Sequence, residues 1–237
     1  DFLLNILIDA GWLATYQSDY ERAALWFDRG LGLARETGDP AKIALSLNRL
    51  SGLQTYQGNH NYARTLLEEA LQLQRKVGDQ MEIARVLNNL ASAIMQMGAL
   101  DDALEYYQES LGIFRLLNDQ WRSAVLLGNM AHIARRQGDY ERASALCEES
   151  LQLGEEIDTT GTVPAVARVC QADIARCEGD YGRALELYRI ALEASEKVGN
   201  HYFIGLSLMG LACLMAQNDK AIEAATFFGA LEALIQK

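Results

Sequence analysis

The sequence predicts an all-α chain, an α-solenoid of about six antiparallel helix pairs. Three observations carry this. An alanine recurs at Ala23, Ala63, Ala103, Ala143, Ala184 and Ala224, a step of 40 residues broken once by 41. Four residues after each stands a bulky or apolar side chain, namely Phe27, Leu67, Tyr107, Cys147, Tyr188 and Phe228, and residues four apart share a helix face. A turn signal runs in phase as Ser18-Asp19-Tyr20, Gly58-Asn59-His60, Gly98-Ala99-Leu100, Gly138-Asp139-Tyr140 and Gly179-Asp180-Tyr181. Glycine supplies the left-handed conformation that ends one helix, and Asp or Asn caps the next. One short helix pair cannot bury its own apolar stripe, so the copies must stack.

Taken in order, the repeats are predicted at approximately 1–38, 39–78, 79–118, 119–159, 160–199 and 200–237, forming one continuous domain. The first helix, DFLLNILIDAGWLATYQ, is apolar over too much of its circumference for a free end. Gly38-Asp39-Pro40 closes the first repeat and opens the second with proline in the first helical turn. Asp79 and Glu82 have capping-box spacing at the start of the third repeat, which turns at Met97, Gly98 and Ala99 and is the most regular copy. The fourth repeat opens with QWRSAVLLGNMAHIARRQ, free of acids, against a second helix rich in glutamate. Asp158 to Pro164 is the one irregular connection, and it holds the extra residue of the 41 step. It reads as a tolerated insertion at a helix junction rather than a ligand loop. In the sixth repeat Asn218-Asp219-Lys220 replaces Gly-Asp-Tyr, and the last helix, AIEAATFFGALEALIQK, is apolar nearly all round. Terminal repeats that stand alone carry a polar outer face. The chain is therefore expected to be a segment of a longer protein, or to pack its apolar ends against a flanking domain or in a homo-oligomer.

The pairing of a small first-helix residue (Gly11, Ser51, Ala91, Ala131, Ala172) with Ala-x3-Phe in the second helix resembles the tetratricopeptide repeat. The resemblance spans the chain. It departs in its period of 40 residues, against about 34 in the common form, and it lacks the usual late proline. The longer copy is similar to the repeats of kinesin light chains, of Pins-like adaptors and of bacterial regulators. The ending with Gly229, Ala230, Glu232 and Ala233 resembles the close of the arrays in bacterial multidomain signalling (STAND-type) ATPases and in LuxR- and SARP-type regulators. The family implies a right-handed superhelix whose first helices line a concave, peptide-binding surface.

Bulk properties narrow the function classes. The net charge of −11 disfavours nucleic acid as a partner. The charge is uneven: the first helices together sum to +4, leaving −15 for the remainder. No apolar run approaches the roughly 18 residues of a membrane span, and no signal peptide opens the chain, so a cytoplasmic, membrane-free protein is expected. Cys147, Cys170, Cys177 and Cys213 show no paired metal-binding spacing. Cys170 and Cys177 stand roughly 10 Å apart along a helix, too far for a disulfide, and the thiols read as core residues. The three histidines fall in different repeats and registers, and no phosphate-binding loop occurs. No enzyme, metal or cofactor is predicted.

Carried over position by position, the groove of the resembled family falls on Asn48, Arg85, Asn88, Asn89, Ser92, Asn129, His132, Arg135, Arg136, Asp173 and Arg176. A carboxamide offers a donor and an acceptor and can pair with an extended peptide backbone of any sequence. The alternative is that Asn48 and Asn88 tie neighbouring helices together. Arg135, Arg136 and Arg176 suit carboxylates, or they pair with Asp173 or Glu178. The expected partner is a protein or extended peptide, acidic or carboxylate-bearing.

Overall fold

The computed structural model describes residues 2–157, 162–197, 199 and 201–235. Among them are twelve α-helices and no strand: α1 (Phe2–Tyr16), α2 (Tyr20–Thr37), α3 (Pro40–Tyr56), α4 (His60–Val77), α5 (Gln80–Gln96), α6 (Leu100–Leu116), α7 (Gln120–Arg136), α8 (Tyr140–Glu156), α9 (Thr162–Cys177), α10 (Tyr181–Lys197), α11 (His201–Gln217) and α12 (Ala221–Ile235). They fall into two compact units, Asp1–Leu117 with α1 to α6 and Asn118–Lys237 with α7 to α12. Each unit is an α-solenoid of three helix pairs. Of the irregular connection expected over Asp158 to Pro164, residues 158–161 lie outside the described residues, and α9 takes up the chain at Thr162.

The turns follow the chemistry of their residues. Gly58 and Gly98 adopt φ of 77° and 87°, a region a β-carbon disfavours. Ser18 and Asp219 hold the corresponding place with φ of 58° and 57°. Aspartates then accept from the third backbone N–H of the following helix: Asp19 from Arg22 at 3.1 Å, Asp119 from Arg122 at 2.9 Å, Asp139 from Arg142 at 3.0 Å and Asp180 from Arg183 at 3.1 Å. Asn59 breaks the expectation. It makes no cap bond, because its Nδ2 is turned back to donate to Gln54 Oε1 at 3.0 Å. The capping box at Asp79 is half formed: Asp79 accepts from the Glu82 N–H at 3.1 Å, while the Glu82 carboxylate pairs with Arg85 at 2.9 Å, where it meets a full charge.

The core is the in-phase alanine row and its partners. Ala23, Ala63, Ala103, Ala143 and Ala184 are completely buried, and so, within 1% exposure, are Phe27, Leu67, Tyr107, Cys147 and Tyr188. Alanine at the row lets two backbones approach, and Ser110 and Ser150 use that closeness to donate to the Ala84 and Ala124 carbonyls at 2.7 and 2.8 Å. Phe228 departs from the row at 47% exposure. Its counterpart Tyr188 leans on Gly210 of the following helix pair, and the described residues include no pair after α12. Phe227 packs against the cluster around Tyr188 and Leu211 instead. The thiols also split: Cys147 and Cys170 are buried as expected, whereas Cys177 is exposed and Cys213 half-buried, because both lie on the solvent side of their helices.

Within each unit the second helix of a pair packs on the first helix of the next, α2 on α3, α4 on α5, α8 on α9 and α10 on α11. The odd-numbered helices also touch directly, α1 with α3, α3 with α5, α7 with α9 and α9 with α11, while the even-numbered ones make no comparable contact with one another. The odd helices therefore form the inner layer of each unit. In the first unit long side chains span the outer layer, Arg35 to Glu69 at 3.6 Å and Arg75 to Glu109 at 2.8 Å.

Candidate functional site

In the first unit the solvent side of the inner layer carries a chain of amides. Asn89 of α5 donates Nδ2 to Asn48 Oδ1 of α3 at 2.8 Å, and Asn88 donates Nδ2 to Asn89 Oδ1 at 3.0 Å. Asn48 is buried and the other two are half-buried. The bond between Asn89 and Asn48 ties neighbouring helices, and the chain ends at Asn88 Oδ1, a buried acceptor with no donor. An asparagine inside a helix costs roughly 0.5 kcal/mol against alanine, and an unsatisfied buried acceptor costs about 1–3 kcal/mol. Ser92, one turn on, shares a 2.8 Å hydrogen bond with the Tyr107 hydroxyl. Arg85 is turned along its own helix to Glu82.

In the second unit the inner layer gathers charge around one carboxylate. Asp173 of α9 accepts from the Tyr188 hydroxyl of α10 at 2.5 Å, and it lies 3.5 Å from Arg135 Nε of α7 and 3.6 Å from Arg176. Arg176 also reaches Gln217 of α11 at 3.2 Å. The pair of Arg135 with Asp173 is ionic, since Arg135 Nε is buried without a hydrogen-bond acceptor. Both arginine side chains are more than four-fifths buried, at 17% and 18% exposure, so they stand well above the screening of a surface pair. Two guanidiniums thus face one carboxylate. His132 Nδ1 lies 3.4 Å from Arg135; burial, and then the neighbouring arginine charge, push this imidazole down to about 4. It is neutral at physiological pH. Burial and the facing Asp173 carboxylate raise the Tyr188 phenol, so it stays a donor. Asn129 is half-buried and Arg136 exposed on the same face of α7.

The structure thus brings together Asn48, Asn88 and Asn89 in one unit, and His132, Arg135, Asp173 and Arg176 in the other. Ser92, Arg85, Asn129 and Arg136 line the same inner faces outside those clusters. Sequence reasoning read Tyr107 and Tyr188 as bulky core positions and not as site residues, yet the Tyr188 hydroxyl anchors the Asp173 cluster and that of Tyr107 bonds to Ser92 on the inner face of the first unit. Their signal was a polar residue 15 positions earlier, Ser92 and Asp173 respectively, which the antiparallel pairing brings opposite the tyrosine. No group of three or more His, Cys, Asp or Glu among the described residues could hold a metal ion, and no described helix is long and apolar enough to cross a membrane.

Residues 42–116 match one family model described as Tetratricopeptide repeat, and residues 123–157 match a second of the same description. No curated protein sequence matches the chain significantly. Several solved structures share the fold. BtubC (BKLC) of P. vanneervenii is 19% identical, covers 92% of this chain and 91% of its own, and superposes with a TM-score of 0.70. A Rap protein solved in complex with competence and sporulation factor is 14% identical, over 99% of this chain and 75% of that one, with a TM-score of 0.77. The signal transduction ATPase with a tetratricopeptide repeat sensor from Pyrococcus horikoshii is 14% identical, over 93% of this chain and 34% of that one, with a TM-score of 0.73.

Proposed function

We propose, since the chain is a tetratricopeptide-repeat protein, that it is a non-catalytic module binding an extended protein segment on the inner faces of its helix pairs. The observation that carries this reading is the amide chain ending at Asn88 Oδ1. A buried acceptor without a donor is costly, and Asn88 as a residue is only half-buried, so a small turn of its side chain would offer the oxygen to a peptide N–H, a donor of the right kind. The surplus of guanidinium over carboxylate around Asp173 favours an acidic or carboxylate-bearing segment. In this reading the protein is cytoplasmic, and the array reports its occupancy to an effector domain of a signalling or transcriptional regulator. Supporting this, the similar Rap protein was solved in complex with competence and sporulation factor, and the similar Pyrococcus ATPase carries a tetratricopeptide repeat sensor.

The test is a selection of displayed random peptides on the whole chain, followed by titration of the winners against the Asn88→Ala/Arg135→Ala variant. A loss of affinity of at least tenfold is expected. Equal binding by the folded variant would remove the inner faces as the site. A second reading, self-association without a groove ligand, draws on Phe2 at 81% and Ile222 at 82% exposure in the two terminal helices. Sedimentation velocity over a wide concentration range separates the two, since only the second requires oligomers.

A further inference from the structure

The inner face of the first unit carries a second feature that the amide chain does not use. Trp12 of α1 lies over Gly52 of α3: a β-carbon at Gly52 would stand 2.8 Å from the indole Cη2, so the ring occupies the place a side chain would fill. Phe27 buttresses the indole edge-on from below, with centroids 5.6 Å apart. Tyr16 stacks beside it at 6.0 Å and 30°, and Tyr56 meets it edge-on at 6.4 Å and 77°. Tyr16 and Tyr56 are nevertheless 74% and 61% exposed. The result is an aromatic shelf whose floor is fixed by packing and whose two tyrosines remain open to solvent.

Arg49 precedes Gly52 by one helical turn on the same stripe of α3. Its Nε is buried without a hydrogen-bond acceptor, and no carboxylate among the described residues pairs with it. Asp9 holds the aligned position on α1. Arg49 as a whole is only half-buried, and a guanidinium with no carboxylate partner draws an anion to its remaining N–H groups. Along α3, Arg49 and Tyr56 are separated by about 10 Å, the span of roughly three residues of extended chain.

We propose that this surface is a subsite for a peptide segment in which an aromatic side chain lies within three residues of a carboxylate, the ring on the Trp12/Tyr16/Tyr56 shelf and the carboxylate on Arg49. The proposal rests on the peptide-binding reading above and names the chemistry recognised there. A cationic ligand, the other habitual guest of aromatic faces, is repelled by Arg49.

The test uses the whole chain, labelled with ¹⁵N, and two capped tripeptides, N-acetyl-Phe-Ala-Glu-amide and its Gln counterpart. The chain contains three tryptophans, so the Trp12 indole N–H signal can be followed against those of Trp26 and Trp121. With the Glu probe the Trp12 signal shifts and the other two stay in place, and the Gln probe binds at least fivefold more weakly. Arg49→Gln abolishes the difference between the probes, while Arg49→Lys, which keeps the charge and the stem, retains part of it. Tyr56→Ala, at an exposed position, weakens both probes. A Trp12 signal unmoved at millimolar probe, or an Arg49→Gln variant that still prefers the Glu probe, overturns the subsite. Selected peptides that lose affinity in Asn88→Ala/Arg135→Ala but not in Arg49→Gln or Tyr56→Ala overturn the subsite and leave the broader peptide-binding reading standing.

Discussion

His132 shows how one residue's surroundings set a property of the whole fold. Its imidazole is held near 4 in the folded chain by burial and by Arg135, against about 6.5 in an unfolded one. Above that higher value both states are neutral and the residue is silent. As the pH falls from about 6.5 toward 4, the unfolded chain takes up a proton that the folded one refuses, and up to about 3 kcal/mol of stability is lost. Urea midpoints at pH 7 and at about pH 4.5 should therefore differ less in His132→Gln than in the parent chain; an equal difference would exclude His132 as the source. Sequence reasoning selected His132, Arg135, Asp173 and Arg176 because the groove positions of the resembled family fall on them. It left the arginines between a ligand-binding role and pairing with Asp173 or Glu178, since the Asp173 contacts depend on Tyr188 and Gln217 from two other helices. It likewise left the asparagines open between binding a ligand and tying helices, and the bond from Asn89 to Asn48 spans 41 residues of sequence.

Between helices, fit is set by the exchange of volume across a repeat. Tyr188 of α10 is completely buried, and a β-carbon at Gly210 of α11 would lie 2.1 Å from its Cε1. Its hydroxyl is held by Asp173, so the ring cannot swing aside. Gly210→Ala should cost about 2–3 kcal/mol through overpacking, read as a fall in Tm. Gly112, on the exposed face of α6 with nothing near its missing side chain, should instead gain about 0.5–1 kcal/mol on substitution by alanine. If both substitutions moved Tm the same way, the packing account would fail. The helices themselves were legible because alanine row, bulky row and turn signal keep one period, and the aspartate caps followed from residue type. Asn59 was not, since Gln54 competes for its amide, and neither was Gly52, whose empty volume is filled by Trp12 from the preceding pair.

At the scale of the molecule the charge is sorted by layer. The chain carries −11 overall, yet the odd helices are mildly basic and hold Arg49, Arg135 and Arg176 on their solvent side. On the proposed reading, an acidic segment would be attracted at short range by the inner face of either unit and repelled at longer range by the rest of that unit's surface. Added salt screens both, but the buried partners are screened least. For an acidic peptide selected on the chain, raising salt from about 0.05 to 0.5 M should change the affinity only a few-fold and act mainly on the association rate. A collapse of a hundredfold would place the contacts on exposed charges instead.

The two layers of the first unit also differ in how they resist bending. Its inner helices are in direct contact, whereas its outer helices are joined across the repeat by exposed ion pairs, Arg35 with Glu69 and Arg75 with Glu109, each contributing about 0 to 1 kcal/mol. Bending that spreads or closes the outer helices strains these weak tethers long before it strains the core. Within the first unit the repeats are thus fastened through the packing of α2 on α3 and of α4 on α5, and the ion pairs on the outer surface are the fastenings that yield first.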